Sequence, residues 1–401
     1  MKSKKILYIA ILVISALLAY FYNQAPDTDT KVKAGGAAPP GVSSSSSASA
    51  PATAPQPDYR FTLRAAGRGA GMPVYSRYAV AVYGDKARAE KEFECVLGFT
   101  PREILHLEKF GKTLLIKDDG TEIYIFDEKE RKVKDRVISF TARNAGTGGS
   151  GVKDAVTAVA VSADEKLIAL ALGGNKSIEF LSAENLQIVL SAPAGPDVQE
   201  TVTGLRFDDK NNLYITGSDG QKKTAALYLC RANLSYSKVE KLSGFTLEAD
   251  SQSENRGAGL FTYYNRRSGS VFKIDASSAQ SGLIFNEAAQ QAGEITAAEG
   301  GAPAYVRAKQ LVALNDYTAL IRSDRKKIKV FSTADGAVTK EIELAGLNGA
   351  EITGAKAGLE YAFIASAGGG RFWLLNSADL RLAEGGALEG MTSLAAVSIG
   401  R

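Results

Sequence analysis

Leu114-Leu115-Ile116-Lys117-Asp118-Asp119-Gly120-Thr121-Glu122-Ile123-Tyr124-Ile125-Phe126-Asp127 reads as an apolar run, a polar turn and a second apolar run. Two such runs across Asp-Gly are a strong short-range sign of a β-hairpin, because both turn residues tolerate positive φ. The pattern recurs. Leu170-Ala171-Leu172 and Ile178-Glu179-Phe180-Leu181-Ser182 flank a turn at Gly173 to Lys176. Further copies centre on Leu227 to Arg231, Val271 to Asp275, Ile328 to Ser332 and Phe372 to Asn376. A looser copy pairs Tyr78 to Tyr83 with Phe93-Glu94-Cys95-Val96.

Copies follow one another at about 44 to 57 residues, enough for four strands and their loops. A lone four-stranded sheet has two open edges and an apolar face, and radial stacking covers each face with the next sheet. Naming the strands A to D from the axis outward makes the hairpins B and C. Expected A strands are Ile104 to Phe110, Val156 to Ser162, Val202 to Phe207, Phe245 to Glu248, Gln310 to Leu314 and Ile352 to Ala355. Expected D strands are Lys132 to Ile138, Gln187 to Ser191, Ser237 to Leu242, Gly282 to Phe285, Val338 to Leu344 and Leu380 to Ala383. Thr392 to Ser398 resembles Thr157 to Ser162, so the chain ends on an A-type strand, while the first copy lacks one. Pairing the last strand beside the first hairpin closes the ring. Arg60 to Leu63 has no place in this scheme.

On these repeats the chain resembles the WD40-like, YVTN-like or quinoprotein-like seven-bladed β-propellers over residues 60–401. The resemblance implies an all-β domain of four-stranded antiparallel blades. The Gly-His and Trp-Asp dipeptides of WD40 repeats are absent, and Trp373, the sole tryptophan, precedes Leu374. The hydrogen-bond network those dipeptides make is therefore not implied.

Ahead of the repeats, Met1-Lys2-Ser3-Lys4-Lys5 is basic and Ile6 to Tyr22 carries no charge. About 17 apolar residues sit at the short end for a spanning helix and above a typical signal-peptide core. Tyr20, Phe21 and Tyr22 suit an interface, no clean small-x-small cleavage site follows, and no cysteine follows for lipidation. The reading favours an uncleaved signal anchor over residues 1–23 rather than a cleaved signal peptide. Its lysines place the N-terminus in the cytoplasm. Residues 24–58, rich in Ala, Pro and Ser, read as a disordered linker with a root-mean-square span of roughly 30 Å. Residues 59–401 form the propeller domain. The expected setting is a single-pass protein of a bacterial inner membrane with its propeller in the periplasm.

Net charge is +4, which gives no argument for nucleic acid. His106 is the single histidine, which works against His-based metal centres and Ser-His-Asp or Cys-His catalysis. It falls on an expected innermost strand, where a structural role is expected. Cys95 and Cys230 fall on C strands nearly across the ring, too far apart for a disulfide. Gly146 to Gly151 lacks the Gly-Lys-Ser/Thr ending of a phosphate loop and reads as an inter-blade loop. Asp208-Asp209-Lys210-Asn211-Asn212 is too short for a calcium loop and reads as a hairpin turn. Asn286 to Ala302 is an insert suited to a short helix or a mobile lid.

B–C loops share one face of such a ring. They collect Lys86, Arg88, Lys176, Lys222, Lys223, Arg266, Arg267, Arg325, Lys326, Lys327 and Arg371. The A–B and C–D loops collect acids, among them Asp127, Glu128, Asp164, Glu165, Asp208, Asp209, Asp335 and Asp379. A disc with one basic and one acidic face could orient against an anionic partner, although D–A loops bring Asp197, Glu200, Glu287, Glu294 and Glu299 to the basic side. The alternative is an ordinary mixed-charge surface. The expected partner-binding residues are Lys222, Lys223, Arg266, Arg267, Arg325, Lys326, Lys327 and Arg371. No catalytic, cofactor or metal residues are expected. The leading reading is a membrane-anchored scaffold for proteins of a bacterial cell envelope, not an enzyme. The alternative is a lactonase-like or quinoprotein-like propeller enzyme or small-ligand binder working through the central channel.

Overall fold

The structure, a computed structural model, describes residues 56–139, 155–173, 177–194, 201–219, 224–248, 252–255, 260–265, 270–275, 280–286, 310–314, 317–322, 327–344, 352–358, 360–366 and 371–400. Within these residues the chain is strands and turns, with short 3-10 helices at Glu108–Phe110 and Ala232–Leu234. Strands β1 (Tyr59–Gly69), β2 (Met72–Tyr83) and β3 (Lys86–Val96) form an antiparallel meander. Four-stranded meanders follow. The first is β4 (Pro101–Leu107), β5 (Lys112–Lys117), β6 (Glu122–Asp127) and β7 (Lys132–Ser139). The next is β8 (Val156–Val161), β9 (Leu167–Leu172), β10 (Ser177–Ser182) and β11 (Ile188–Pro193). Then come β12 (Thr201–Phe207), β13 (Leu213–Asp219), β14 (Thr224–Cys230) and β15 (Val239–Glu248). β16 (Gln252–Asn255), β17 (Leu260–Asn265), β18 (Ser270–Asp275) and β19 (Gln280–Asn286) repeat the order, as do β20 (Gln310–Ala313), β21 (Tyr317–Arg322), β22 (Lys327–Ser332) and β23 (Val338–Glu343).

The remaining strands are β24 (Ile352–Gly358), β25 (Tyr361–Ser366), β26 (Phe372–Asn376), β27 (Leu382–Gly385) and β28 (Ser393–Gly400). They join the first meander in one sheet of order β24-β25-β26-β27-β3-β2-β1-β28. This sheet reads as two runs of four. Its only parallel step is a short one, Glu384 beside Lys86 and Gly385 beside Ala87, with Glu384 N–H donating to Asp85 O at 2.8 Å. The first and last strands meet: Leu63 pairs with Ile399 and Arg64 with Ser398. Inner strands of successive sheets also touch, β28 against β4 and β24, and β12 against β8 and β16.

Burial follows this plan. β9, β17 and β25 are buried almost throughout, whereas the outermost β23 is almost wholly exposed. Apolar clusters lie between sheets and between the two runs of the eight-stranded one. One packs Phe61, Leu63, Tyr78 and Val80 against Phe363, Phe372 and Leu374; another packs Ala66, Tyr75 and Phe93 against Ile104, Leu115 and Phe126. Each buried side chain of this size contributes about 1.5–3 kcal/mol of transfer free energy. The Asp119-Gly120 turn shows why a glycine is needed. Gly120 has φ of 70°, and a Cβ there would lie 2.5 Å from the carbonyl oxygen of Val156 in the next sheet.

The B and C strands of the six later hairpins fall where the sequence puts them, and the last strand does close the first sheet. Three details differ. Arg60 to Leu63 belongs to β1, which lies between β28 and β2. Tyr78 to Val96 is thus the third-to-fourth strand hairpin of its sheet, so Lys86 and Arg88 follow a C–D turn, and Cys95 sits on an outermost strand. Phe245 to Glu248 continues β15, and the inner strand of the next sheet is β16. Cys95 and Cys230 are both free, with no disulfide between them. Residues 1–55, Gly146 to Gly151 and the insert after Asn286 lie outside the described residues. Among the described residues no helix is long and apolar enough to cross a membrane.

Candidate functional site

Side chains alternate along β1, so Phe61, Leu63 and Ala65 face one neighbouring sheet and Arg64 and Ala66 face the other. Arg64 is 5% exposed. A buried guanidinium needs an anion, and Glu128 in the β6–β7 turn supplies it, with Arg64 Nε 2.6 Å from Oε1. The same oxygen accepts Tyr75 OH at 2.7 Å and Thr113 Oγ1 at 2.8 Å. Oε2 accepts Arg77 Nη1 at 2.8 Å. Arg77 also pairs with Glu92 at 2.6 Å. One carboxylate therefore ties β1 and β2 to β5 in the adjacent sheet.

His106, on β4, completes the cluster. Its Nε2 lies 2.9 Å from Arg64 Nη2, and its Nδ1 lies 2.9 Å from Thr113 Oγ1. A guanidinium only donates, so Nε2 must accept, and the ring proton sits on Nδ1. Protons then point one way: Arg64 to His106, His106 to Thr113, Thr113 to Glu128. Burial lowers the His106 pKa to about 4, the Arg64 charge adding to it and Glu128 opposing. Burial would raise the Glu128 pKa, but hydrogen bonds from Arg64, Tyr75 and Thr113 and the Arg64 charge outweigh it and hold the carboxyl at about 2. Burial and the Glu128 charge push the Tyr75 phenol well up. At neutral pH the cluster is a carboxylate between two guanidiniums with a neutral imidazole. His106 thus bridges Arg64 and Thr113, while Arg64 Nη1, also buried, has no hydrogen-bond partner.

A second polar cluster lies at the β12–β13 turn. Asp208 Oδ1 accepts the backbone N–H of Lys210 at 2.9 Å and of Asn212 at 2.7 Å, which is the hairpin turn expected there. Asn211 Oδ1 accepts the N–H of Asp164 from the preceding sheet at 3.3 Å. Burial and Asp208 raise the Tyr214 phenol, and burial raises the Cys230 thiol to about 11, which leaves it unreactive at neutral pH.

Of the eight expected partner-binding residues, Lys222, Lys223, Arg266, Arg267, Arg325 and Lys326 lie outside the described residues. Lys327 pairs with Glu341 and Glu343 at 3.8 and 3.5 Å. Arg371 pairs with Glu384 at 2.9 Å. These two cations are met by acids on the next strand of their own sheets, β23 and β27. The structure brings together a different set, Arg64, Arg77, His106 and Glu128. Sequence reading counted Glu128 among solvated acids and left Arg64 unplaced. The missed signal was the arginine flanked by Leu63 and Ala65 on a strand with two buried faces. Among the described residues no group of three His, Cys, Asp or Glu side chains is placed to hold a metal.

A cavity of about 290 Å³ opens at the other flank of β1. Asp58, Gly84, Tyr361, Asn376, Asp379 and Arg381 line it.

No protein-family model matches the chain, and no relative is found among curated proteins. Solved structures do resemble it. The RRP9 WD40 repeats superpose with a TM-score of 0.53 at 12% identity, over 75% of this chain and 84% of that one. A functionally unknown protein from Desulfotomaculum acetoxidans DSM 771 gives 0.52 at 10% identity, over 86% and 99%. The dihydro-heme d1 dehydrogenase NirN gives 0.47 at 12% identity, over 85% and 66%. At these identities the likeness is one of fold alone, and that fold is a β-propeller.

Proposed function

We propose that this chain is a seven-bladed propeller, the eight-stranded sheet counting as two blades, that serves as a membrane-anchored scaffold for proteins of a bacterial cell envelope. The carrying observation is how its buried charges are used. Arg64, Arg77, His106 and Glu128 hydrogen-bond across the join between one sheet and the next, which supports a rigid body. Such expenditure on rigidity suits a surface that holds other molecules in fixed relation. The sequence of residues 1–23 supports an anchor in the inner membrane, and residues 24–58 support a tether that gives the disc reach in the periplasm. The contact face proposed is the basic one carrying Lys222, Lys223, Arg266, Arg267, Arg325, Lys326, Lys327 and Arg371.

The test is proximity crosslinking of the full-length protein in membranes, followed by affinity purification. The control changes Arg266, Arg267, Arg325, Lys326 and Lys327 to Ser. A reproducible envelope partner that disappears in the control is the expected result. A partner retained there moves the contact to another surface. No partner in either sample removes the scaffold reading and leaves the propeller enzyme or small-ligand reading.

A further inference from the structure

The cavity beside Asp58 has lining groups with unused hydrogen-bonding capacity of both kinds. Asp58 precedes β1, Gly84 lies in the β2–β3 turn, Tyr361 begins β25, and Asn376, Asp379 and Arg381 surround the β26–β27 turn. The cavity therefore sits at the seam where the β24–β27 run meets β1–β3. Asp58 Oδ2 accepts the N–H of Gly84 at 2.6 Å, which leaves Oδ1 as an acceptor. Asn376 Oδ1 accepts the N–H groups of Ala378 at 2.8 Å and Asp379 at 3.1 Å, which leaves the amide nitrogen as a donor. Asp379 and Arg381 pair at 2.9 Å and largely cancel each other's charge. The hydrogen bond from the Arg381 backbone, opposed by a smaller burial effect, lowers the Asp379 pKa and keeps it ionised. Tyr361 adds a ring, 5.2 Å from that of Tyr59 behind it, and a hydroxyl that both donates and accepts.

This inventory selects a ligand class. An ammonium ion has only donors and would meet the Asn376 amide and the Arg381 guanidinium. An anion would meet Asp58. A purely apolar molecule would strand every one of these groups. A neutral molecule with several hydroxyls satisfies them together: carboxylate oxygens accept from it, amide and guanidinium donate to it, and the tyrosine ring covers its C–H face. The volume is close to the lower end of small-molecule pockets and suits a single ring. We propose that this seam cavity binds a neutral polyhydroxylated ligand, one sugar ring or cyclitol in size. The inference does not depend on the scaffold reading, since neither the basic loops nor a protein partner enters it.

The experiment is saturation-transfer NMR on the full-length protein in detergent, with glucose, galactose, mannose and myo-inositol as probes and 1,5-diaminopentane and phosphate as controls. Asp58→Asn keeps an acceptor for Gly84, removes the charge and turns the free carboxylate oxygen into an amide donor; Tyr361→Leu removes the ring. A shared thermal midpoint establishes that both variants are folded, and Tyr361→Phe, which keeps the ring, serves if the Leu variant is not. The expected result is saturable transfer from at least one polyol, weakened roughly tenfold in Asp58→Asn and in the Tyr361 variant. Absence of transfer from all four polyols would overturn the proposal. So would variants that bind as well as the parent, or a diamine or phosphate that binds in preference to every polyol.

Discussion

The two flanks of β1 are built differently. Toward β24–β27 the seam is aromatic and aliphatic, with Phe61, Leu63 and Val80 on Phe363 and Phe372. Toward β4–β7 a smaller apolar cluster is joined by one carboxylate shared between two arginines. The first seam holds by excluding water and tolerates imprecise fit. The second holds only if every partner is present, because a half-satisfied buried charge costs more than an apolar replacement. One strand thus serves as a greased surface on one side and a keyed one on the other.

The sharpest way to break this contrast is Glu128→Ala. It strands the Arg64 guanidinium in the seam and is expected to destabilise the domain by about 3–5 kcal/mol in urea unfolding. Phe363→Ala attacks the apolar flank and is expected to cost about 3 kcal/mol, by the same amount at pH 7 and pH 5. Acid should separate the two flanks. The folded-state values of His106, about 4 against 6.5, and Glu128, about 2 against 4.5, both lie below the unfolded ones. The unfolded chain therefore takes up these protons first. Stability is complete above pH 6.5, falls through His106 between 6.5 and 4, then through Glu128 between 4.5 and 2. After discounting for partial exposure, roughly 1–2 kcal/mol is expected to go between pH 7 and pH 4.5, and His106→Asn should flatten that part of the profile. Smallest of all, Arg371→Ser breaks an exposed pair with Glu384 and is expected to shift stability by no more than about 0.5 kcal/mol.

The apolar flank was legible in the sequence and the keyed one was not, for a physical reason. Period-two apolar runs at regular spacing report strands and their stacking directly, so the later hairpins, their outer strands and the closing role of Thr392 to Ser398 could be placed. Ion pairs between residues 64 positions apart leave no local trace. Arg64 followed a weak pattern in which Arg60 and Arg68 also interrupt the apolar run, and this hid the strand. Glu128 looked like any turn acid. The Phe245 to Glu248 error has a similar origin: an apolar Phe-x-Leu pair resembles an inner strand, yet here it prolongs an outer one across a register shift opposite Ala225 to Leu227. The seam cavity was out of reach because its walls come from turns near both ends of the domain.

Leu63 lies opposite Ile399 and Thr62 opposite Gly400 in an antiparallel pair, so the first sheet cannot be completed until residue 400 has been synthesised. During translation β1 waits with one open edge while every other strand of the ring is made. Closing so long a loop is the slow, entropically costly step of folding, and an exposed edge in the interim invites pairing with other chains. A nascent chain of this design depends on keeping that one strand unoccupied until its partner arrives.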